Sequence, residues 1–160
     1  MAELSVIIVT HRRPAKLTRC LRSIAEAWLP PSSEVIVALN GHDAESEEAA
    51  EKAREWLDSV KIIRAPGVVI SAARNMAATS ASGEILYYID DDVSVGPDLF
   101  RTAMAKFAAH PGVGVIGGPN LTPPGSSLFQ LTAGQVMANP CTAPHGCGRY
   151  RAYGSDRLGD

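Results

Sequence analysis

Three consecutive aspartates lie at the end of the run EILYYID, which has the pattern of a buried strand. Asp90 is the last residue of this run, and Asp91 and Asp92 follow it. Three carboxylates in one tripeptide repel one another, so a fold that keeps them at a strand end is expected to offer a counter-charge. A hard divalent cation is the predicted counter-charge, because it takes oxygen ligands and bridges carboxylates to substrate phosphates. The alternative is a solvated turn in which one aspartate caps the helix predicted from Pro97. The position after a buried strand favours the metal.

The elements that must position the triplet alternate between strand and helix patterns. This alternation is typical of an α/β fold with a mostly parallel sheet and helices on both faces. Residues 4–119 are therefore expected to form one α/β domain, followed by a loop-rich segment over 120–160 in which only SSLFQLTAGQVMA suits a regular element. The predicted strands are LSVIIVT, EVIVALN, VKIIRAP, EILYYID and GVGVIGGP, and the predicted helices are PAKLTRCLRSIAEAW, DAESEEAAEKAREWLDS, SAARNMAATSA and PDLFRTAMAKFAAH.

Polar residues end each of the first four predicted strands. In an open parallel sheet, ligands bind outside the carboxyl ends of the strands, so these residues are expected to share one rim. Arg74 and Asn75, in the short helix before the fourth strand, are expected near the same rim. The strand-end residues are Thr10, His11 and Arg12; Asn40, Gly41 and Asp43; Arg64; and the aspartate triplet.

Each of these candidates also has a structural interpretation that needs no ligand. Polar side chains at strand ends also pair with neighbours or cap the helix that follows. The alternatives left open are a plain strand end for Thr10, an ion pair with Asp91 or Asp92 for Arg74, a solvated helix start for His11, Arg12 and Arg13, and a helix cap for Asp43.

The composition indicates one soluble globular domain. The chain has 160 residues, of which 46% are hydrophobic and 20% charged, with a formal net charge of −2 and a pI near 6.1. Nucleic acid is not an expected partner, because there is no broad basic composition to bind it. No apolar run approaches the roughly 18 residues that span a bilayer. A cytoplasmic location is therefore expected, with peripheral attachment to a membrane left open.

The three cysteines predict neither a disulfide framework nor a zinc site. Their number is odd, and Cys20 falls on the apolar face of the first predicted helix, where a buried small hydrophobe is expected. Cys141, His145 and Cys147 lie together in CTAPHGC but lack an evident fourth ligand.

Four motifs in order resemble the family-two glycosyltransferases of GT-A fold. They lie in SVIIVTHRRPAKLTRCLRSI, in EVIVALNGHD and in GVVISAARNMAATSASGEILYYIDDDVSVGPDLF. The shared features are a strand followed by Thr and Arg, a Gly turn after the second strand, an ARN helix leading through A-x-G-E to an aspartate triplet, and a proline shortly after the triplet. The resemblance covers Leu4 to Pro119. It implies a Rossmann-like, nucleotide-diphospho-sugar transferase fold, continuing beyond the C-terminal side of this chain.

The resemblance also implies a function and roles for particular residues. The implied reaction transfers a sugar, with inversion, from a nucleotide-diphosphate donor to a hydroxyl of a carbohydrate, lipid or other acceptor. A divalent cation, Mn²⁺ or Mg²⁺, would assist it. The implied donor-binding residues are Thr10 at the nucleobase, Arg12, Asn40, Arg74 at the base and phosphates, and Asp91 at the ribose, while Asp92 binds the metal and Asp90 supports it. One departure concerns the turn after the second strand, where the family often has two acids before Gly and this chain has Leu39 and Asn40. Because of this departure, the resemblance does not imply specificity for uracil.

The general base that the implied reaction needs has no clear counterpart. Asp156 and Asp160 are the only acids after Asp98, and both fall in the loop-rich segment, so they are weak candidates. The chain is therefore expected to be a donor-binding half that by itself transfers sugar slowly or not at all. Self-association of the chain is left open.

Two rival functions stay open: a nucleotide-sugar-binding module without turnover, and an aspartate-dependent phosphohydrolase suggested by DDDVS. In such phosphohydrolases the motif usually follows the first core strand rather than the fourth. A nicotinamide dehydrogenase is disfavoured because no G-x-G-x-x-G follows the first strand.

Overall fold

A computed structural model describes residues 3–123, 125–142 and 150–151 of the chain. It divides into two units, Met1–Ala109 and His110–Asp160. The first contains β1 (Leu4–Thr10), α1 (Pro14–Glu26), β2 (Ser33–Asn40), α2 (Ala44–Lys52), a 3₁₀ turn (Ala53–Glu55), β3 (Val60–Ala65), α3 (Ile70–Thr79), β4 (Ile85–Asp90) and α4 (Leu99–Ala109), and the second contains α5 (Leu128–Ala138).

The four strands form one parallel sheet in the order β3-β2-β1-β4. All seven residues of β1 are buried, as expected for a central strand covered on both faces. Alternate residues of β1 belong to two different hydrophobic clusters. One cluster contains the apolar residues of α1 and Phe100 of α4, and the other contains Ala73 and Ala77 of α3. The predicted α/β fold with helices on both faces of a parallel sheet is confirmed.

The predicted fifth strand, GVGVIGGP, is wrong. Residues 111–119 contain no strand; they begin with a turn closed by the Val113 amide, which donates to the His110 carbonyl. Glycine fills four of these positions, and it disfavours strands because it gains no side-chain packing and loses much backbone entropy on ordering. Val115 is exposed, so the segment buries little apolar surface to offset this cost. The regular element expected near SSLFQLTAGQVMA is present as α5.

Helix α5 begins with a capping box. The Ser127 hydroxyl accepts from the Gln130 amide, and the Gln130 side chain accepts from the Ser127 amide. None of its residues is classed as buried, although several are large and apolar. In the part of the chain that the structure describes, no helix is long and apolar enough to cross a membrane.

A buried polar network joins the amino ends of β1 and β2 to the turn before β4. Glu34 accepts hydrogen bonds from the Ser5 hydroxyl at 2.7 Å and from the Ser82 amide at 2.6 Å. Burial acts to raise the pKa of Glu34, but these hydrogen bonds outweigh it, so the pKa is lowered. The Gly83 amide in turn donates to the Ser5 hydroxyl at 2.9 Å. This network fixes the chain where it enters β4, the strand that carries the aspartates.

Replacing Gly83 by Ala is expected to lower the free energy of unfolding by about 1–3 kcal/mol. A Cβ at this position lies 2.5 Å from the backbone nitrogen of Ser5, which belongs to a central strand and has no room to shift. The measurement is urea unfolding of the variant beside Gly96→Ala, whose added Cβ meets nothing within 4 Å. If the two variants lose the same stability, the close packing of Gly83 against β1 is not what requires glycine here.

Candidate functional site

The aspartate triplet lies where β4 ends, and its side chains do not share one environment. The side chain of Asp91 is 6% exposed, whereas those of Asp90 and Asp92 are 59% and 42% exposed. Side chains alternate along a strand, so Asp90 lies on the same face as the exposed Tyr88 and Leu86, while Asp91 follows Ile89 toward the face covered by α1. The alternation therefore gives each carboxylate a different set of partners.

Asp91 is held by the end of the neighbouring strand. Because β1 and β4 pair in register, with Val9 beside Asp90, the residues that follow this pair are also neighbours. The buried Thr10 hydroxyl donates to Asp91 Oδ2 at 2.8 Å, and Arg13 Nη1 donates to Asp91 Oδ1 at 3.2 Å. The predicted convergence of Thr10 and the triplet on one rim is confirmed in geometry, with a direct hydrogen bond between them.

Asp92 contacts two basic residues at the start of α1. Its Oδ2 atom lies 3.5 Å from Arg13 Nη1 and 3.3 Å from Lys16 Nζ. Sequence reasoning missed both partners, since it did not single out Lys16 and gave Arg13 only as part of a solvated helix start. One signal was available: a helix start normally favours acids, and α1 has none in its first turn.

Asp90 pairs with Arg74 of α3. Arg74 Nη2 lies 2.5 Å from Asp90 Oδ1, so the arginine reaches the rim as expected. The predicted structural alternative named Asp91 or Asp92 as its partner, which is wrong because Asp91 turns to the opposite face of the sheet. Ala73 and Ala77, both fully buried, fix the position of α3 and therefore the point from which Arg74 extends.

Asn40 joins the end of β2 to the segment before α3. Its side-chain amide donates to the Val68 carbonyl at 2.8 Å, and its Oδ1 accepts from the Val68 amide at 3.0 Å. Gly41 follows with a φ of +101°, a conformation that L side chains rarely adopt, and its amide donates to the Ala65 carbonyl. The side-chain amide of Asn40 has a second hydrogen to donate, and its oxygen has a second lone pair to accept. A ligand contact by Asn40 is therefore chemically open, and it stays a prediction.

Arg12 and Asp43 form a second contact between the ends of β1 and β2. The Arg12 backbone is left-handed, with a φ of 53°, and its amide donates to Asp43 Oδ2 at 2.6 Å. Asp43 also accepts from the Ser46 amide and so caps α2, which confirms its predicted structural role. Burial raises the pKa of Asp43, but the bonds from Ser46 and Arg12 outweigh it and leave the pKa lowered. This backbone hydrogen bond fixes the position of Arg12 at the rim, while its side chain is exposed. The donor-binding role of Arg12 stays a prediction.

Two further residues of the region are assigned structural partners. Arg64 was expected to follow the third strand, but it lies within β3, beside Leu39 of β2, and its side chain pairs with Glu47 of α2. Cys20 is fully buried, as predicted, with its Sγ 3.7 Å from the Asp90 carbonyl oxygen. Burial, together with the negative charges of Asp91 and Asp92, raises the pKa of its thiol to about 12. The thiol is therefore neutral at ordinary pH, as expected of a structural buried cysteine.

The triplet suits a cation that takes only part of its coordination from protein. Among residues 3–123, 125–142 and 150–151, no three His, Cys, Asp or Glu side chains are grouped to hold a metal ion by themselves. Asp92 and Asp90 nevertheless present accessible carboxylates, the hard oxygen donors that Mg²⁺ and Mn²⁺ prefer. Such ions are commonly held by one or two carboxylates together with substrate phosphates, so the donor set fits.

Some predicted residues lie outside the described part of the chain. These are the weak general-base candidates Asp156 and Asp160, and His145 and Cys147 of the CTAPHGC segment. Cys141 is described and exposed.

A family model and two curated relatives match this chain, and their descriptions concern the transfer of sugars or the biosynthesis of succinoglycan. The model of the family described as "Glycosyl transferase family 2" matches residues 5–140. Succinoglycan biosynthesis protein ExoM of Rhizobium meliloti (strain 1021) is 31% identical over 115 residues, covering 70% of this chain and 37% of the relative. Validoxylamine A glucosyltransferase of Streptomyces hygroscopicus subsp. limoneus is 30% identical over 110 residues, covering 66% and 24%. The chain thus spans about a third or less of the curated relatives it matches.

Solved structures share the fold. S. aureus TarS 1-349 in complex with UDP-GlcNAc matches with a TM-score of 0.68 at 22% identity, covering 79% of this chain and 36% of that one. Mannosyltransferase PcManGT from Pyrobaculum calidifontis, in complex with GDP-Man and Mn²⁺, matches with a TM-score of 0.65 at 19% identity, covering 77% and 36%. These matches confirm the predicted GT-A type of α/β fold.

Proposed function

The chain belongs to glycosyl transferase family 2, and we propose that the rim formed by the ends of β1 and β4 binds the nucleotide diphosphate of a sugar donor. The observation that carries the proposal is the convergence of Thr10, Arg74 and the aspartate triplet at the carboxyl ends of parallel strands. This is the edge at which open α/β sheets bind ligands. The sugar would pass from this donor to a hydroxyl of an acceptor, whose class (carbohydrate, lipid or other) stays a prediction.

Two residues would hold a divalent cation in this proposal. Asp92 would be the main ligand and Asp90 would support it, because both carboxylates are accessible. When bound, the cation would act as a Lewis acid that stabilises the departing diphosphate. Asp91 is less suited to this role, since its oxygens already accept from Thr10 and Arg13.

The remaining rim residues would orient the donor. Arg74 is half-exposed and pairs with an exposed carboxylate, so its guanidinium is free to add a hydrogen bond to a phosphate or a base. Asp91 and Thr10 fix each other at the end of the sheet and would present their remaining acceptor sites to the ribose and the nucleobase. An inverting displacement also needs a general base on the acceptor side, for which Asp156 and Asp160 stay weak candidates.

The donor nucleotide is left open between uridine and guanosine. The two structural relatives above are described with UDP-GlcNAc and with GDP-Man, so similar folds bind both bases. In this chain the second-strand turn offers Asn40, with one amide hydrogen and one oxygen lone pair beyond those used by Val68. An amide can match donor and acceptor edges of either base.

A nucleoside diphosphate is expected to stabilise the protein when Mn²⁺ or Mg²⁺ is present. At a concentration 100-fold above Kd, the gain in free energy of unfolding is about 2.7 kcal/mol. The measurement is a thermal-shift panel of UDP, GDP and ADP with Mn²⁺, with Mg²⁺ and with EDTA. The corresponding monophosphates are the control, because they lack the second phosphate that the cation would bridge. If no diphosphate raises Tm with either metal, the proposed donor site is wrong.

A further inference from the structure

We infer that Arg13 and Lys16 are exchangeable counter-ions of the candidate site. Without ligand they neutralise Asp91 and Asp92; when a divalent cation binds Asp92, they turn to the phosphates of the donor that arrives with it. The inference rests on the proposed function and adds two positioning residues to it. It also predicts that cation and diphosphate bind cooperatively.

The ion pairs have the accessibility that an exchange of partners requires. Lys16 Nζ lies 3.3 Å from Asp92 Oδ2, and Arg13 Nη1 lies 3.5 Å from the same oxygen. The side chains of Arg13 and Lys16 are 51% and 47% exposed. Half-exposed pairs of long side chains are weak and are not locked in one geometry. A cation that takes the Asp92 oxygen would therefore displace both groups without breaking a packed core.

The position of the two cations on α1 points to an anion as their eventual partner. Arg13 is the N-cap residue, Lys16 lies in the first turn, and the helix has no side-chain cap and no acid in that turn. Basic groups at this end oppose the helix dipole, which favours negative charge there. Asp91 and Asp92 from β4 supply that charge in the structure. If a metal ion takes Asp92, the phosphates of the donor are the natural replacement at the same helix end.

Charge balance leads to the predicted cooperativity. Three carboxylates, Asp90 to Asp92, face three basic groups, Arg13, Lys16 and Arg74, so the cluster is formally neutral. A divalent cation adds two positive charges and the diphosphate of a nucleotide sugar adds two negative ones. Together they preserve neutrality, whereas each alone leaves an excess of charge. Each ligand should therefore raise the affinity of the other by the same factor.

Lys16→Gln gives the sharper test, because among the described residues Lys16 forms its ion pair with the exposed Asp92, whereas Arg13 also contacts the buried Asp91. The affinity for Mn²⁺ alone is measured by electron paramagnetic resonance, and the affinity for UDP, with GDP in parallel, by calorimetry at saturating Mn²⁺. We expect Lys16→Gln to lower the Kd for Mn²⁺ alone about 2–5-fold, since a competing charge is lost. We expect it to raise the Kd for the nucleotide about 10-fold, since a charge-assisted bond is lost.

The matched control is Lys52→Gln, which removes the same charge from the last turn of α2. Arg13→Gln should repeat both changes of Lys16→Gln. The inference is overturned if Lys16→Gln behaves as Lys52→Gln, or if it weakens both Mn²⁺ and nucleotide, as a merely structural ion pair would. A parent protein that binds neither Mn²⁺ nor a nucleotide overturns the proposed function itself, whereas a parent that binds both with unaltered variants overturns only the counter-ion role.

Discussion

Replacing Asp92 by Ala is expected to abolish metal-dependent nucleotide binding while changing the free energy of unfolding by no more than about 1 kcal/mol. The carboxylate is half-exposed, and its contacts with Arg13 and Lys16 are long surface ion pairs, which contribute little to stability. Arg13 also keeps its contact with Asp91 in the variant. The measurement pairs urea unfolding with nucleotide binding in the presence and absence of Mn²⁺.

Asp98→Ala is the matched control for this variant. Asp98 is also an exposed aspartate paired with an arginine, Arg101, at 2.7 Å, but it lies in the turn that leads into α4. We expect Asp98→Ala to bind metal and nucleotide as the parent does. If Asp92→Ala unfolds, or binds both ligands normally, the triplet is a structural turn and the metal interpretation is wrong.

The sheet was predictable where burial on both faces fixes the pattern. LSVIIVT and EVIVALN are continuous apolar runs because β1 and β2 lie in the centre, and their placement in a parallel sheet follows from the helices between them. GVGVIGGP carries a similar apolar pattern but is not a strand, because its glycines cannot pack against a neighbour. The pattern of apolar residues alone therefore did not distinguish a strand from a loop.

The site was predictable to the extent that it depends on strand ends. Parallel topology places Thr10 and the triplet at one edge, and this part of the prediction follows from chain order alone. The contacts of Arg13 and Lys16 with Asp92 depend instead on the direction in which α1 leaves β1, a tertiary feature that joins residues more than 70 positions apart. The pairing of Arg74 with Asp90 depends on which face of the sheet each aspartate side chain lies on. Three identical residues in a row show no alternation of apolar and polar side chains from which that face could be predicted.

Replacing Asp91 by Ala is expected to lower the free energy of unfolding by about 2–3 kcal/mol, unlike its neighbour Asp92. The buried Thr10 hydroxyl loses its 2.8 Å acceptor, and the charge-assisted bond from Arg13 is lost as well. Asp91→Asn should lose less, because an amide oxygen still accepts from Thr10.

A double-mutant cycle with Thr10→Val isolates the Thr10–Asp91 bond, and urea unfolding of the four proteins measures its coupling energy. We expect a coupling of about 1–2 kcal/mol, since a buried hydroxyl donates to a carboxylate. A coupling near zero, or equal stability of Asp91→Ala and Asp92→Ala, would mean that the buried carboxylate does not tie β4 to β1. In that case packing alone would fix the end of β4 beside the end of β1. The different exposures of Asp91 and Asp92 would then not indicate different roles for the two residues.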